Sequence, residues 1–247
     1  MSQPETFAPT IFSPSRRAAA RERAERLSRA ADAPRFLAED MAEDVIERVA
    51  FLRETPGKAM VLGHGAAELA QDLAARGWDA QVSDPTVNDE QPLPWTGLDL
   101  IVSMLRLEFA NDLPGALIHL RRTLRPGGLM IANLTGAGSL PKLKSALRQA
   151  ESERPALRTH PQVDVRAGGQ LLQRAGYADP VADSRLTSVR YRSPRRLVAD
   201  LRAMGLSSQL AESAPLAKAT WARAETLFSA DNEPELFEIL TLSGRAV

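Results

Sequence analysis

The chain has 247 residues, 44% of them hydrophobic, with 31 basic residues balanced by 31 acidic ones and no cysteine. That apolar share is enough to build a packed core, which excludes disordered, collagen-like and low-complexity classes. Zero net charge removes a global field for nucleic acid or anionic lipid, no apolar run reaches the roughly 18 residues of a membrane span, and the lack of cysteine excludes disulfides, thiol chemistry and cysteine-ligated metals.

Residues 1–12 lack a basic segment followed by an apolar one, so no secretory signal is expected. Residues 16–29 are rich in Arg and Ala, but Glu22 and Glu25 count against a transit peptide, and cytoplasmic residence is the expectation. This stretch reads as a mostly exposed helix starting after Ser13-Pro14, where proline suits the first turn. Asp32-Ala33-Pro34 interrupts it and opens a second helix. On that helix Phe36, Leu37, Met41, Val45, Ile46, Val49 and Leu52 fall close to helical spacing, giving one buried face up to about Arg53.

After Thr55-Pro56-Gly57 short apolar runs alternate with helices. Strands are predicted at 59–62, 81–83, 98–105 and 129–134, with helices at 66–76 and 112–124. Arg125-Pro126-Gly127-Gly128 reads as the stop between the second of these helices and the last of these strands. Helices at 139–153, 165–175, 194–204 and 214–228 follow, with strands at 181–191 and 236–242. Strands that alternate with helices and are apolar on both faces predict an α/β fold with a parallel sheet covered on both sides. There is no internal repeat and no long linker. The chain therefore reads as an α/β domain at 55–247 with a helical extension at 1–54 packed on it.

Few positions carry chemistry. Gly63-His64-Gly65 stands between a predicted strand and helix, where glycine lets backbone approach a ligand and the helix offers free N–H groups. A tight structural turn explains the same residues. His64 reads as a turn filler rather than a base. Asp84, at the end of the second strand, is placed either to accept from ribose hydroxyls or to cap the Pro85-Thr86 turn. His64, His119 and His160 show no metal-ligand spacing, so no metal site is expected. Arg190, Arg192, Arg195 and Arg196 around Tyr191 suit a charged sheet edge better than a nucleic-acid patch. No Gly-x-Ser-x-Gly elbow is present for a serine nucleophile.

Gly63-His64-Gly65, Asp84 and Leu124-Arg125-Pro126-Gly127-Gly128-Leu129 together resemble class I S-adenosylmethionine-dependent methyltransferases. A longer resemblance runs through Ile11-Phe12, Ile101-Val102-Ser103, Asn111-Asp112-Leu113-Pro114, Val163-Asp164-Val165-Arg166, Leu171-Leu172-Gln173-Arg174-Ala175-Gly176-Tyr177, Asp200-Leu201-Arg202-Ala203-Met204-Gly205 and Phe237-Glu238-Ile239. In these segments the chain is similar to the methyltransferase-like assembly factors of respiratory complex I and their bacterial relatives, near the biotin-pathway carrier-protein methyltransferases. The resemblance implies a Rossmann-like, doubly wound sheet of seven strands with the last antiparallel. It also implies S-adenosylmethionine as cofactor, lined by Gly63, His64, Gly65, Asp84 and the strand end Ser103-Met104-Leu105. The acceptor it implies is a small molecule or a protein side chain, and it assigns no catalytic residue. The complex I assembly family implies two non-methylating alternatives: hydroxylation of a protein arginine, as in its S-adenosylmethionine-binding mitochondrial members, with a respiratory-complex subunit as partner, or a cofactor-free binding and assembly role.

The departures from the family pattern fall on the cofactor site. Val61 stands where an acidic residue is usual, Ala67 replaces the third glycine, and Glu68 follows it. Only residues 85–97 separate Asp84 from the next strand, too few for a crossover helix and a strand. The third-strand region is therefore expected to be shortened, with Leu93-Pro94-Trp95 as its remnant. Trp95 would either stack on a base or cover the sheet. Glu108 and Phe109 occupy positions where relatives often carry His and Trp, so no catalytic role is carried over to them.

Overall fold

The computed structural model describes residues 10–151 and 156–247. Helix α1 (Pro14–Ser28) begins where Ser13 caps the Arg16 N–H and Pro14 enters the first turn. Helix α2 (Phe36–Phe51) buries Leu37, Met41, Val45 and Val49 in one stripe, as its spacing predicts. Leu52 lies past the end of this helix and is exposed.

The α/β part runs β1 (Lys58–Gly63), α3 (Ala66–Ala74), β2 (Asp79–Val82), β3 (Leu98–Met104), a 3-10 turn (Leu107–Phe109), α4 (Leu113–Thr123), β4 (Leu124–Thr135) and α5 (Pro141–Ala150). It continues with α6 (Val165–Arg174), β5 (Ala178–Val189), α7 (Pro194–Ala203), α8 (Lys218–Phe228) and β6 (Glu235–Arg245). Asp112, Asp164 and Ser193 cap α4, α6 and α7 by accepting from backbone N–H groups two or three residues into each helix.

Among the described residues the sheet has six strands in the order β2-β1-β3-β4-β6-β5. β2, β1, β3 and β4 are parallel, and β6 runs antiparallel to both β4 and β5. The seventh strand implied by the resemblance is not found among the described residues. Residues 85–97 form turns and no regular element, as their number requires.

Successive residues point to opposite faces, so Val61, Val102 and Ile131 join the core under α2, α3, α5, α7 and α8. Met60, Ile101 and Met130 join the second core, under α4 and α6. α2 is also pinned sideways across the sheet. Its Asp44 carboxylate accepts from Arg48 at 2.8 Å and Thr241 at 3.2 Å, and Arg185 reaches both Asp40 and Asp44. No described helix is long and apolar enough to cross a membrane.

Three local expectations are corrected. β4 starts at Leu124 rather than 129, because Arg125-Pro126-Gly127-Gly128 is drawn into the sheet. Leu124 pairs with Leu98, the register then shifts, and Gly127 and Gly128 exchange hydrogen bonds with Ala246 beyond β6. A helix stop and a strand start coincide there. Helix α1 is less exposed than expected, since Arg17, Ala20 and Ala24 are buried where it packs on α7. Alanine is small enough for close helix approach, which hydropathy does not register. The helix expected from 139 begins at Pro141, after Leu140 in a left-handed conformation; its expected end at 153 lies outside the described residues.

The strand expected at 181–191 ends at Val189, so the basic cluster lies past the edge strand β5, with Arg195 and Arg196 on α7 rather than on the sheet edge. Arg195 pairs with Glu225 and Arg196 with Asp200.

Candidate functional site

β1 and β3 end side by side, and the chain leaves both through residues of positive φ. Gly63 has φ +101° and Gly65 φ +78°, the latter as N-cap of α3. A Cβ on Gly63 would lie 1.9 Å from the Met104 carbonyl oxygen, so the glycine is demanded by the approach of β3. A Cβ on Gly65 would lie 2.7 Å from the Ala38 Cβ, so α2 demands the second one. Both glycines thus have a reason in the chain's own packing. The His64 N–H donates to the Met104 carbonyl at 3.1 Å. Leu105 adopts φ +47°, costly for a residue with a branched side chain, while its N–H donates to Asn133 O at 2.9 Å.

Above this turn lies a cavity of about 340 Å³, lined by Gly63, His64, Gly65 and Leu105 from the strand ends and by Arg21, Ala24 and Ser28 from α1. Phe109 and Met204 supply apolar wall, and the exposed Glu25 and Glu68 border it. Burial pushes His64 below the ordinary imidazole range, with Glu68 pulling partly the other way, so the ring is neutral. Arg21 is pushed down to about 10 by burial and by Arg106. Its nearest carboxylate, Asp89, is 3.6 Å away and already binds Arg106 through two contacts at 2.7 and 2.8 Å. Arg21 is therefore a half-buried cation with an incomplete set of partners, donating to the Pro85 carbonyl at 3.5 Å and facing a cavity.

The other expected cofactor residues lie elsewhere. Ser103 and Met104 are buried inside β3 and do not line the cavity; the Ser103 hydroxyl has no hydrogen-bond partner. Asp84 is exposed, and its carboxylate accepts from the Thr86 N–H at 2.7 Å and hydroxyl at 2.5 Å, which lowers its pKa. That is the turn-capping arrangement, and only its neighbours Ser83 and Pro85 reach the cavity. Trp95 packs with Leu93 against the core on the α4 face, which suits a cover rather than a base-stacking platform. Among the described residues no group of three or more His, Asp or Glu is arranged to hold a metal ion.

Sequence reasoning missed a polar seam joining α1, residues 85–97 and the 3-10 turn. Besides Arg106–Asp89, Arg17 binds Glu90 at 2.7 Å, and Glu90 also accepts the Asn111 N–H. The Asn111 carboxamide oxygen accepts from the N–H groups of Ile11 and Phe12, both at 2.8 Å. The same seam holds Glu108. One of its oxygens accepts the Thr135 N–H at 3.0 Å, while the other is buried with no partner. Burial pushes this carboxyl up to about 7. The signal available in the sequence was Arg106 and Glu108 set among Leu105, Leu107, Phe109 and Ala110, next to a family motif position.

No protein-family model matches the chain. It is 26% identical over 224 residues to the malonyl-[acyl-carrier protein] O-methyltransferase of Gallionella capsiferriformans, covering 78% of this chain and 76% of that protein. It is 31% identical over 196 residues to the human mitochondrial arginine-hydroxylase NDUFAF5, covering 70% of this chain and 57% of that protein. The chain is a homologue of both. It spans little more than half the length of the hydroxylases. Among solved structures, the Haemonchus contortus phosphoethanolamine N-methyltransferase 2 in complex with phosphomonomethylethanolamine and S-adenosylhomocysteine aligns with TM-score 0.49 at 13% identity, over 84% of this chain and 52% of that one.

Proposed function

We propose that this homologue is a class I S-adenosylmethionine-dependent methyltransferase acting on a small-molecule or protein acceptor. The observation that carries the reading is the cavity at the ends of β1 and β3, with the under-paired Arg21 facing it. A zwitterionic methionyl group suits this lining: its carboxylate completes Arg21, and its ammonium and sulfonium sit in the field of Glu25 and Glu68. Gly63, His64, Gly65 and Leu105 would hold the cofactor from the sheet side, with α1 as the opposite wall. Phe109 and Met204 offer apolar surface to the adenosine. The cofactor supplies an already activated methyl group, so the protein's work is to bind, orient and exclude water. Ser103 and Met104 would act only from behind, by fixing the path of the strand end, and Asp84 by shaping the rim.

Identity of 31% to an arginine-hydroxylase favours a second reading, in which the acceptor is a protein arginine, for example on a respiratory-complex subunit, and a C–H bond becomes C–OH with dioxygen as oxidant and an external two-electron reductant. Cytoplasmic location remains part of the proposal. Isothermal titration with S-adenosylhomocysteine tests the cofactor site. Micromolar affinity is expected, weakened about ten- to a hundredfold by Arg21→Gln, the worth of one charge-assisted hydrogen bond. No heat and no change in Tm at millimolar ligand would remove the proposal, since ligand at 100 times Kd stabilises by about 2.7 kcal/mol. Mass spectrometry of a bound acceptor separates a methyl from a hydroxyl addition.

A further inference from the structure

A second, smaller cavity of about 200 Å³ lies behind Phe12, at the end of β4. It is lined by side chains from four separate segments, among them Phe12, Glu108, Leu134 and His160. Its walls are built rather than incidental. Asn111 grips the backbone of Ile11 and Phe12, placing the Phe12 ring edge-on to Phe109 at 5.6 Å. The His160 ring packs 4.7 Å from Phe109 and 5.7 Å from Phe12. Gln162 donates to the Thr135 hydroxyl at 3.2 Å.

Two buried polar atoms on this lining have no hydrogen-bond partner: Oε2 of Glu108 and Nε2 of His160. Glu108 is 7% exposed, and an orphaned carboxylate oxygen at that depth is expensive. The lining contains no Lys or Arg to neutralise it. The surrounding walls are otherwise mostly apolar. A guest that donates from a cationic nitrogen and carries a short hydrocarbon body would satisfy all of these features. Size agrees, because a cavity of about 150 Å³ holds a benzene ring.

We propose that this cavity binds a small-molecule primary amine, its ammonium donating to Glu108 Oε2 and its hydrocarbon body packing against Phe12 and Leu134. The site does not depend on methyl transfer. Burial and backbone hydrogen bonds alone act on Glu108; Arg106, two residues before it, is spent on Asp89, Glu90 on Arg17, and Lys144 acts on His160. His160, held down at about 4 by burial and by Lys144, stays neutral from pH 5.5 to 8. Glu108 changes charge in that interval, being pushed up to about 7. Amine affinity therefore rises with pH.

Benzylamine is the probe, titrated calorimetrically at pH 8 and pH 5.5, with benzyl alcohol as neutral control. Binding is expected at pH 8 and about thirtyfold weaker binding at pH 5.5, the ratio of ionised carboxyl at the two values. Glu108→Gln keeps an acceptor for the Thr135 N–H; it should bind at least tenfold more weakly at pH 8 and lose the pH dependence. In the unsubstituted protein, the carbon-13 resonance of the Glu108 carboxyl should titrate near pH 7 and shift to lower pH by at least one unit when benzylamine saturates it. The proposal is overturned by no binding at 10 mM, by equal affinity in Glu108→Gln, by benzyl alcohol binding as tightly, or by binding that strengthens at pH 5.5. S-adenosylhomocysteine titrated into the same proteins keeps the two readings apart. Its failure alone sinks the methyltransferase and leaves this cavity standing.

Discussion

Two regions hold the N-terminal segment to the sheet, and they do so by opposite physics. α2 lays a dry stripe of Leu37, Met41, Val45 and Val49 on the core, with Phe36 edge-on to Phe237 at 5.5 Å. α1 has almost no apolar stripe. It is held by Ala20 and Ala24 against α7 and by arginines reaching into the seam: Arg17 to Glu90, Arg21 towards Asp89. The apolar stripe of the first contact is indifferent to pH, and the ion pairs of Asp40 and Asp44 with Arg185 and Arg48 only flank it. The second depends on each buried charge having its partner, and a missing partner there leaves the cost of desolvation uncompensated. α1 also forms one wall of the cavity at the ends of β1 and β3, so the contact built from charge is the one that borders the proposed cofactor site.

The largest effect expected is from truncation. Removing residues 1–54 strips both contacts, and the loss of five large side chains from the core amounts to roughly 8–15 kcal/mol gross, comparable to a domain's whole net stability of about 5–15 kcal/mol. No cooperative melting transition should remain. Removing only residues 1–31 should leave a cooperative but less stable protein that no longer binds S-adenosylhomocysteine, because Arg21, Ala24 and Ser28 leave the cavity wall. A stable product of the longer deletion would show that the dry stripe is dispensable, and the comparison would fail.

Conservative substitutions sharpen the contrast. Met41→Leu conserves volume in the dry stripe and should cost less than about 1.5 kcal/mol by chemical denaturation. Asp89→Asn, equally conservative in shape, removes the charge opposite Arg106 and should cost about 3–5 kcal/mol. Similar values for the two would mean that the seam is solvated in practice.

A third expectation follows from Glu108. Its carboxyl sits near 7 in the folded protein against an ordinary 4.5, so the folded state keeps a proton that the unfolded chain releases. The stabilisation is complete below about pH 4.5 and is lost as pH rises through 7, by roughly 3 kcal/mol at pH 8. Glu108→Gln should therefore be more stable than the parent at pH 8, with the difference gone below pH 4.5. His160 acts in the other direction, destabilising the fold as pH falls from 6.5 towards 4, and both proteins share that arm. A parent and variant with parallel pH–stability curves would place Glu108 in water.

The smallest effect is reserved for Asp84→Ala. The carboxylate is exposed and spends itself on Thr86, so affinity for S-adenosylhomocysteine should change less than about threefold. A loss of tenfold or more would show that the carboxylate lets go of Thr86 to meet the ligand.

Much of this molecule was legible from local pattern. The stripe on α2, the apolar strands at the sheet centre, the helix starts after Ser13-Pro14 and at Asp112, and the shortness of 85–97 all follow from spacing, propensity and chain reach, which are properties of neighbouring residues. The positions of Gly63, Gly65 and Asp84 were found the same way, but what they do there was not. A glycine at a strand end serves a ligand or a neighbouring backbone equally well on paper. Only the approach of Met104 and Ala38 shows which atoms exclude a Cβ. The start of β4 at Leu124 was decided by Leu98 and Ala246, both far away in sequence. The seam was invisible for the same reason: Arg17, Asp89, Arg106 and Asn111 are unremarkable singly, and their meaning arises when partners up to 100 residues apart are buried together. Local order is encoded in short-range periodicity, whereas the pairing of buried charges depends on long-range proximity and on the exclusion of water, and only the folded chain supplies both.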